Sequence, residues 1–277
     1  MYSVASIVTF IPIRKHHINF STSHSYYKAL STIFADKYAI TSDVSAQFKD
    51  NMMDILSLDT QLTLLINGSD SAFVDGIAWY ATRTITWIFM AVVLLYIIIR
   101  NNKVQTSIFI IIGLALSVLL ADQVASGIFQ PLVQRFRPTH DPALAGLIDT
   151  VNGYKGGRYG FFSSHASNTF AIATFITLLI RNKWVALTAY SFALINCWTR
   201  VYLGVHFVGD ILAGIAFGLL SGWLCYQLFS KIDARFTKHH ALRSTSNSVI
   251  SYSRQDIAFF VSSFILTLVY IVFRALL

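Results

Sequence analysis

Apolar residues in this chain gather in long runs separated by short polar punctuation. Runs at Trp87 to Ile99, Ser107 to Gln130, Ala166 to Ile180, Trp184 to Trp198, Phe207 to Phe229 and Ile257 to Leu277 have helix length. Several approach the roughly 20 residues that cross a bilayer, so the pattern predicts about six transmembrane helices. The first run is short, and extending it back through Asp75 to Thr86 predicts one longer crossing helix with aromatic residues near an interface. Ahead of it, Ile55, Leu58, Leu62 and Leu65 share one helical face, and the segment ends at Asn67-Gly68. That spacing predicts an amphipathic interfacial helix. The fold class is therefore all-α, an integral membrane bundle preceded by a helix lying on the membrane surface.

The first fifty residues differ in character, with scattered Ser, Thr, His, Lys and Tyr and an apolar run, Val4 to Ile13, too short to span. Arg14 and Lys15 follow that run, where a signal peptide places its charges before it. With Met52 and Met53 just before the first periodic segment, residues 1–51 read as a poorly ordered or misassigned extension and 52–277 as the membrane domain. Its motif-bearing core runs from about 105 to 229, and an extra transmembrane helix closes it at 257–277. The tract Ser230 to Gln255 reads as a flexible basic loop.

Composition narrows the class. The 277 residues are 55% hydrophobic and 12% charged, against about a quarter charged in an ordinary soluble domain. The net charge of +8 sits mostly in short runs flanking apolar stretches, which is membrane topology and not nucleic-acid recognition. All 13 acidic residues are aspartates, which excludes mechanisms that need a glutamate. Cys197 and Cys225 lie inside apolar runs, against a disulfide framework or a cysteine zinc site. Alternating sides along the spans puts Arg100 to Lys103, Arg181 to Lys183 and Ser230 to Gln255 at one face, and Arg135 to His165 and Val201 to His206 at the other. The first set is rich in Lys and Arg and is placed in the cytoplasm, so the second faces outward, into the periplasm if the cell has two membranes.

Three separated stretches on that outward side carry the chemistry. His206 and Asp210 are four apart, which on a helix puts them on one face. The carboxylate can accept the proton of one imidazole nitrogen and leave the other free as a nucleophile. Arg200 lies six residues before His206 across a Tyr-Leu-Gly turn, and its planar fork suits a phosphate. Ser163-Ser164-His165 precedes an apolar run, where a serine cap and free amides form an anion site. Arg137-Pro138 ends the second long helix. Each stretch alone has an ordinary structural explanation; their convergence on one side favours one site. Asp122, inside an apolar helix, should face the protein interior, bonding a neighbouring helix or a motif arginine.

These residues give the chain a resemblance to the type 2 phosphatidic acid phosphatase superfamily, whose fold is shared with vanadium-dependent haloperoxidases. The third block of that family's pattern matches at Arg200, Gly204, His206 and Asp210, with Thr199 in place of serine; the second matches at Ser163 and His165, with Phe162 and Ser164 replacing proline and glycine. In the first block Arg137 and Pro138 match, while the family's lysine position is Gln130.

The resemblance implies that His206 attacks phosphorus to form a phosphohistidine, that Asp210 orients it, and that His165 protonates the leaving oxygen and then activates water. Arg137, Arg200 and the amide and hydroxyl of Ser163 would hold the equatorial oxygens, with Ser164 and Gln130 beside them. It implies no cofactor and no metal, and a membrane lipid phosphate as partner in a bacterial cytoplasmic membrane. By family analogy undecaprenyl pyrophosphate leads, phosphatidic acid and phosphatidylglycerol phosphate are compatible, and a lipid A phosphatase is the nearest alternative. Gln130 and the altered Ser-Ser-His block motivate an alternative of another class, a catalytically weakened lipid-phosphate binding protein. A soluble haloperoxidase fits poorly with so apolar a chain.

Overall fold

The computed structural model describes residues 42–241 and 252–277, so most of the expected N-terminal extension and part of the basic tract lie outside the described residues. The described residues are helical, with one isolated β-bridge between Phe136 and Tyr159. Helix α1 spans Ser42–Ile66, α2 Ala72–Ala81, α3 Ile88–Asn101, α4 Val104–Asp122, α5 Ser164–Ile180, α6 Lys183–Tyr202, α7 Val208–Ala241 and α8 Arg254–Leu276. Helices therefore occur at all six expected places. Among the described residues, four segments are long and apolar enough to cross a membrane: Thr84–Asn101, Val104–Val133, Val208–Phe236 and Arg254–Leu276. Ser164–Ile180 is apolar but shorter.

Three boundaries differ from expectation. The helix extended back from Trp87 is broken: α2 stops at Ala81, Arg83 is extended, and a 3-10 turn at Thr84–Trp87 precedes α3. The break is held by side chains, since Thr86 donates to the Tyr80 carbonyl at 2.7 Å and the Trp87 indole to the Ala81 carbonyl at 2.8 Å. These bonds satisfy carbonyls that a continuing helix would have used. The amphipathic helix is longer than the Asp54 to Ile66 stretch, starting at Ser42 and so crossing the expected boundary at residue 51. The basic tract is not a loop from Ser230, because α7 continues to Ala241.

The central packing is α5 against α7, with α4 and α6 beside them. Glycine makes it close. Gly214, Gly218 and Gly222 recur every fourth residue of α7, and a Cβ at each would stand 2.7 Å from the Ser163 carbonyl, 2.5 Å from the Ser167 carbonyl and 2.5 Å from the Ala171 carbonyl. Small residues at that spacing let helix backbones approach within a membrane. The Ser221 hydroxyl donates to the Ser117 carbonyl at 2.9 Å, tying α7 to α4. Outward positions such as Val92, Tyr96, Ile108, Leu119, Leu212, Phe259 and Val269 are exposed apolar residues, as a lipid-facing surface requires.

One end of the bundle gathers the α3 to α4 turn, Arg181 and the start of α8: Asn102 donates to Tyr252, Thr106 to Asp233, and Arg181 to Tyr226. The motif-bearing segments lie at the other end. Helix α1 reaches them too. Its apolar face, with Ile55, Leu58 and Leu65 at 66%, 55% and 82% exposure, points away from the protein, while Asp59, Thr63 and Asn67 on a neighbouring face point into it.

Candidate active site

Gly204 has φ +67°, and a Cβ there would lie 2.5 Å from Ile148. Only glycine suits both the left-handed backbone and the close approach. The turn it makes after α6 puts His206 just ahead of α7, not on it. The expected shared helix face for His206 and Asp210 is thus corrected: Asp210 sits in the first turn of α7 and reaches back. Its Oδ2 accepts the Phe207 amide at 3.1 Å and lies 3.6 Å from His206 Nδ1, slightly beyond hydrogen-bond length. His206 Nδ1 has no nearer partner among the described residues, and both side chains are almost wholly buried.

The other ring nitrogen faces Arg137, whose terminal nitrogen lies 3.1 Å from His206 Nε2. Arg137 is clamped by backbone, donating to the Tyr159 carbonyl at 3.0 Å and the Val205 carbonyl at 3.2 Å. Pro138 is buried and opens the 3-10 turn that follows. Burial pushes His206 down to about 4, with Arg137 and Arg200 adding to the shift and Asp210 opposing it. The imidazole is therefore neutral at physiological pH, as a nucleophile must be.

Arg200 comes in from the last turn of α6, donating to Thr82 Oγ1 at 2.8 Å and to the Tyr154 hydroxyl at 3.3 Å. Its Nε is buried without a partner among the described residues, a donor still free for an anion. His165, in the first turn of α5, is within electrostatic range of Arg200, His206 and Arg137. Five of the expected residues, His206, Asp210, His165, Arg137 and Arg200, thus converge.

The remaining expected residues take other positions. Ser163 caps α5, its hydroxyl accepting the Ala166 amide at 3.4 Å, but its own amide donates to the Asp210 carbonyl at 3.1 Å. The expectation that this amide holds a phosphate oxygen is therefore corrected; the first-turn amides of Ser164 and His165 are the ones that lack an intrahelical acceptor. Gln130 Nε2 donates to the Phe162 carbonyl at 3.3 Å, bracing the segment that enters Ser163. Asp122 accepts from Asn168 of α5 at 3.2 Å, the interhelical role expected of it. His140 and Asp141 are used locally, by Thr139 and by the Ala143 amide.

Sequence reasoning missed two features. One is the loop Lys155-Gly-Gly-Arg-Tyr-Gly, which wraps Arg137: a Cβ at Gly160 would stand 3.0 Å from Arg137 Cγ, 3.3 Å from Asp210 Oδ2 and 3.4 Å from His206 Nδ1. The other is the tie that Arg135 makes between α7 and α1, donating to Asp210 Oδ1 at 2.8 Å and to Asp59 Oδ2 at 2.7 Å. The polar recurrence of Asp59, Thr63 and Asn67 every fourth residue was the available signal.

Buried arginines, a neutral histidine with an acceptor nitrogen turned to Arg137, and a second histidine within electrostatic range make an arrangement suited to phosphoryl transfer. Comparison with related sequences agrees. The PAP2 superfamily profile matches residues 111–234. A lipid A 4'-phosphatase of Bacteroides thetaiotaomicron is 38% identical over 186 residues, covering 66% of this chain and 83% of the relative. A lipid A 4'-phosphatase of Porphyromonas gingivalis is 36% identical over 182 residues, covering 66% of this chain and 77% of the relative. Among solved structures, a transmembrane PAP2 type phosphatidylglycerolphosphate phosphatase from Bacillus subtilis aligns with 74% of this chain and 95% of its own, at 20% identity and a TM-score of 0.46.

Proposed function

This chain belongs to the PAP2 superfamily, and from that premise we propose that it removes the 4'-phosphate of lipid A or of a closely related glycolipid through a phosphohistidine on His206. At the coarser level it is a bacterial membrane lipid phosphatase of PAP2 type. The two lipid A 4'-phosphatase relatives carry the choice of substrate and move the preference away from undecaprenyl pyrophosphate, which rested on family analogy alone.

In the proposed reaction His206 Nε2 attacks phosphorus while His165 gives a proton to the departing sugar oxygen. Water activated by His165 then attacks the phosphohistidine and releases inorganic phosphate. Arg137 and Arg200 with the first-turn amides of α5 neutralise charge on the equatorial oxygens, so the protein's work is mainly electrostatic positioning. The site lies on the outer face of the cytoplasmic membrane, as the clustering of Lys and Arg at the opposite end supports.

The test is phosphate release by the purified protein in detergent with a chelator present. Lipid A, undecaprenyl pyrophosphate, phosphatidic acid and phosphatidylglycerol phosphate are compared, beside His206→Ala. Release from lipid A, lost in the variant and indifferent to chelation, is expected. Release only from undecaprenyl pyrophosphate would replace the substrate, and lipid binding without release would favour a binding protein.

A further inference from the structure

We propose that Asp59, on the interfacial helix α1, is a positioning residue for the nucleophile His206, acting through Arg135 and Asp210. The inference rests on the phosphatase reading above.

Asp59 binds the catalytic segment by two routes. Its Oδ2 accepts from one terminal nitrogen of Arg135 at 2.7 Å, and the other terminal nitrogen of that guanidinium donates to Asp210 Oδ1 at 2.8 Å. Its Oδ1 accepts the amide of Gly209 at 2.7 Å, one residue before Asp210 in the chain. The carboxylate that orients His206 is thus fixed from α1 through a side chain and through the backbone. All three charged groups are shielded from water, with side-chain exposures of 11% for Asp59, 8% for Arg135 and 0% for Asp210. Buried charge-assisted bonds of this length are the strong ones.

The geometry explains why two anchors are needed. Arg135 is a long side chain with much rotamer freedom to lose. Stacked over the Phe207 ring with its Cζ 4.0 Å from the centroid, its guanidinium plane is set on one face by that ring and at its end by Asp59. Gly209 leaves room for this contact, because a Cβ there would stand 2.8 Å from Asp59 Oδ2 and push on the carboxylate. Thr63, one turn further along α1, accepts the Val208 amide at 3.1 Å, so α1 supplies acceptors for two free donors at the start of α7.

Charge adds a second effect. With Asp59 present, Arg135 is shared between two carboxylates. Removing the negative charge of Asp59 makes the surroundings of Asp210 more positive, so that carboxylate becomes a poorer acceptor for the His206 Nδ1 proton, in a site where Arg137 and Arg200 already oppose positive charge on the ring. Asp59 bonds Arg135 and the Gly209 amide, neither of which holds the phosphate in this reading, so its loss should weaken the chemical step and spare substrate binding.

The experiment measures kcat and KM for phosphate release by the full chain in detergent for wild type, Asp59→Asn, Arg135→Gln, the double variant and His206→Ala. Expected for Asp59→Asn is a fall in kcat of about tenfold or more with KM within about twofold. The double variant should be no worse than Arg135→Gln alone, since asparagine keeps an acceptor oxygen for the Gly209 amide and both substitutions then break the same Arg135 relay. Gly209→Ala, which pushes on the same carboxylate, should give the same split and decides the matter if Asp59→Asn does not fold. Unchanged kcat, or losses that multiply in the double variant, would overturn the proposal. A silent wild type, or release by His206→Ala equal to wild type, would instead fell the phosphatase reading and this inference with it.

Discussion

A terminal nitrogen of Arg137 points at His206 Nε2 from 3.1 Å, and this contact fixes which nitrogen of the ring can react. Arginine only donates, so Nε2 holds a lone pair and the imidazole proton sits on Nδ1, on the side of Asp210. A phosphate bound by Arg137 would therefore lie in front of the nucleophilic atom. Arg137→Lys keeps a positive charge but loses the fork that grips the Tyr159 and Val205 carbonyls. Losing one charge-assisted bond costs about 1.5–3 kcal/mol, which corresponds to about 10- to 150-fold in kcat/KM if it acts in the transition state. Steady-state kinetics on the lipid substrate would measure it, and a lysine variant at wild-type rate would remove Arg137 from the phosphate site.

His206 also makes stability depend on pH. Its fold keeps it neutral down to about pH 4, whereas the unfolded chain takes up a proton near 6.5. Above pH 6.5 both states are neutral and the contribution is fully present; as pH falls from about 6.5 to about 4 the unfolded state binds more protons and stability drops. His206→Gln has no such proton to gain. The difference between wild-type and variant unfolding midpoints in detergent should shift against wild type between pH 7.5 and pH 4.5. A difference constant over that range would mean that His206 titrates normally.

The helices and the converging residues were legible because they depend on local spacing: apolar runs set the spans, and Arg200, Gly204, His206 and Asp210 sit within one short stretch. What escaped depends on approach between distant backbones. Neither the stripe of Gly214, Gly218 and Gly222 against α5 nor the contact of Gly160 with Arg137 has a signature until the two segments are brought together. Asp59 was overlooked because it falls in a helix read only for its apolar face. The spent amide of Ser163 was hidden too, since its acceptor is the main chain of Asp210.

Gln130 shows how a local irregularity defeats spacing. A π-helical stretch, Gln123–Phe129, widens the turn immediately before it, so the face that Gln130 presents does not follow from its place in the family's sequence pattern. Its amide braces the Phe162 carbonyl. If that is its role, Gln130→Lys restores the family's residue type without adding a phosphate contact, and turnover should stay within about threefold of wild type. Gln130→Ala, which removes the brace, should lower it. A gain on introducing lysine of about tenfold or more, the size of a new charge-assisted bond in the transition state, would return this position to the phosphate site.

Gly160 offers the narrowest test of the packing around the nucleophile. The loop carrying it is pinned to the motif by its amide, which donates to the Arg135 carbonyl at 2.9 Å, so the backbone has little room to retreat. A methyl group there meets Arg137 Cγ at 3.0 Å and stands close to both Asp210 Oδ2 and His206 Nδ1. Overpacking of this kind costs about 1–3 kcal/mol in stability, a modest fraction for a bundle of this size. The cost to catalysis should be larger, because displacing a reacting group by about 1 Å can lose about 100-fold in rate. Gly160→Ala should therefore give a folded protein with kcat reduced by about ten- to 100-fold, read from phosphate release beside an unfolding midpoint. Equal rates in variant and wild type would show that the loop gives way and that His206 is held by its other neighbours alone.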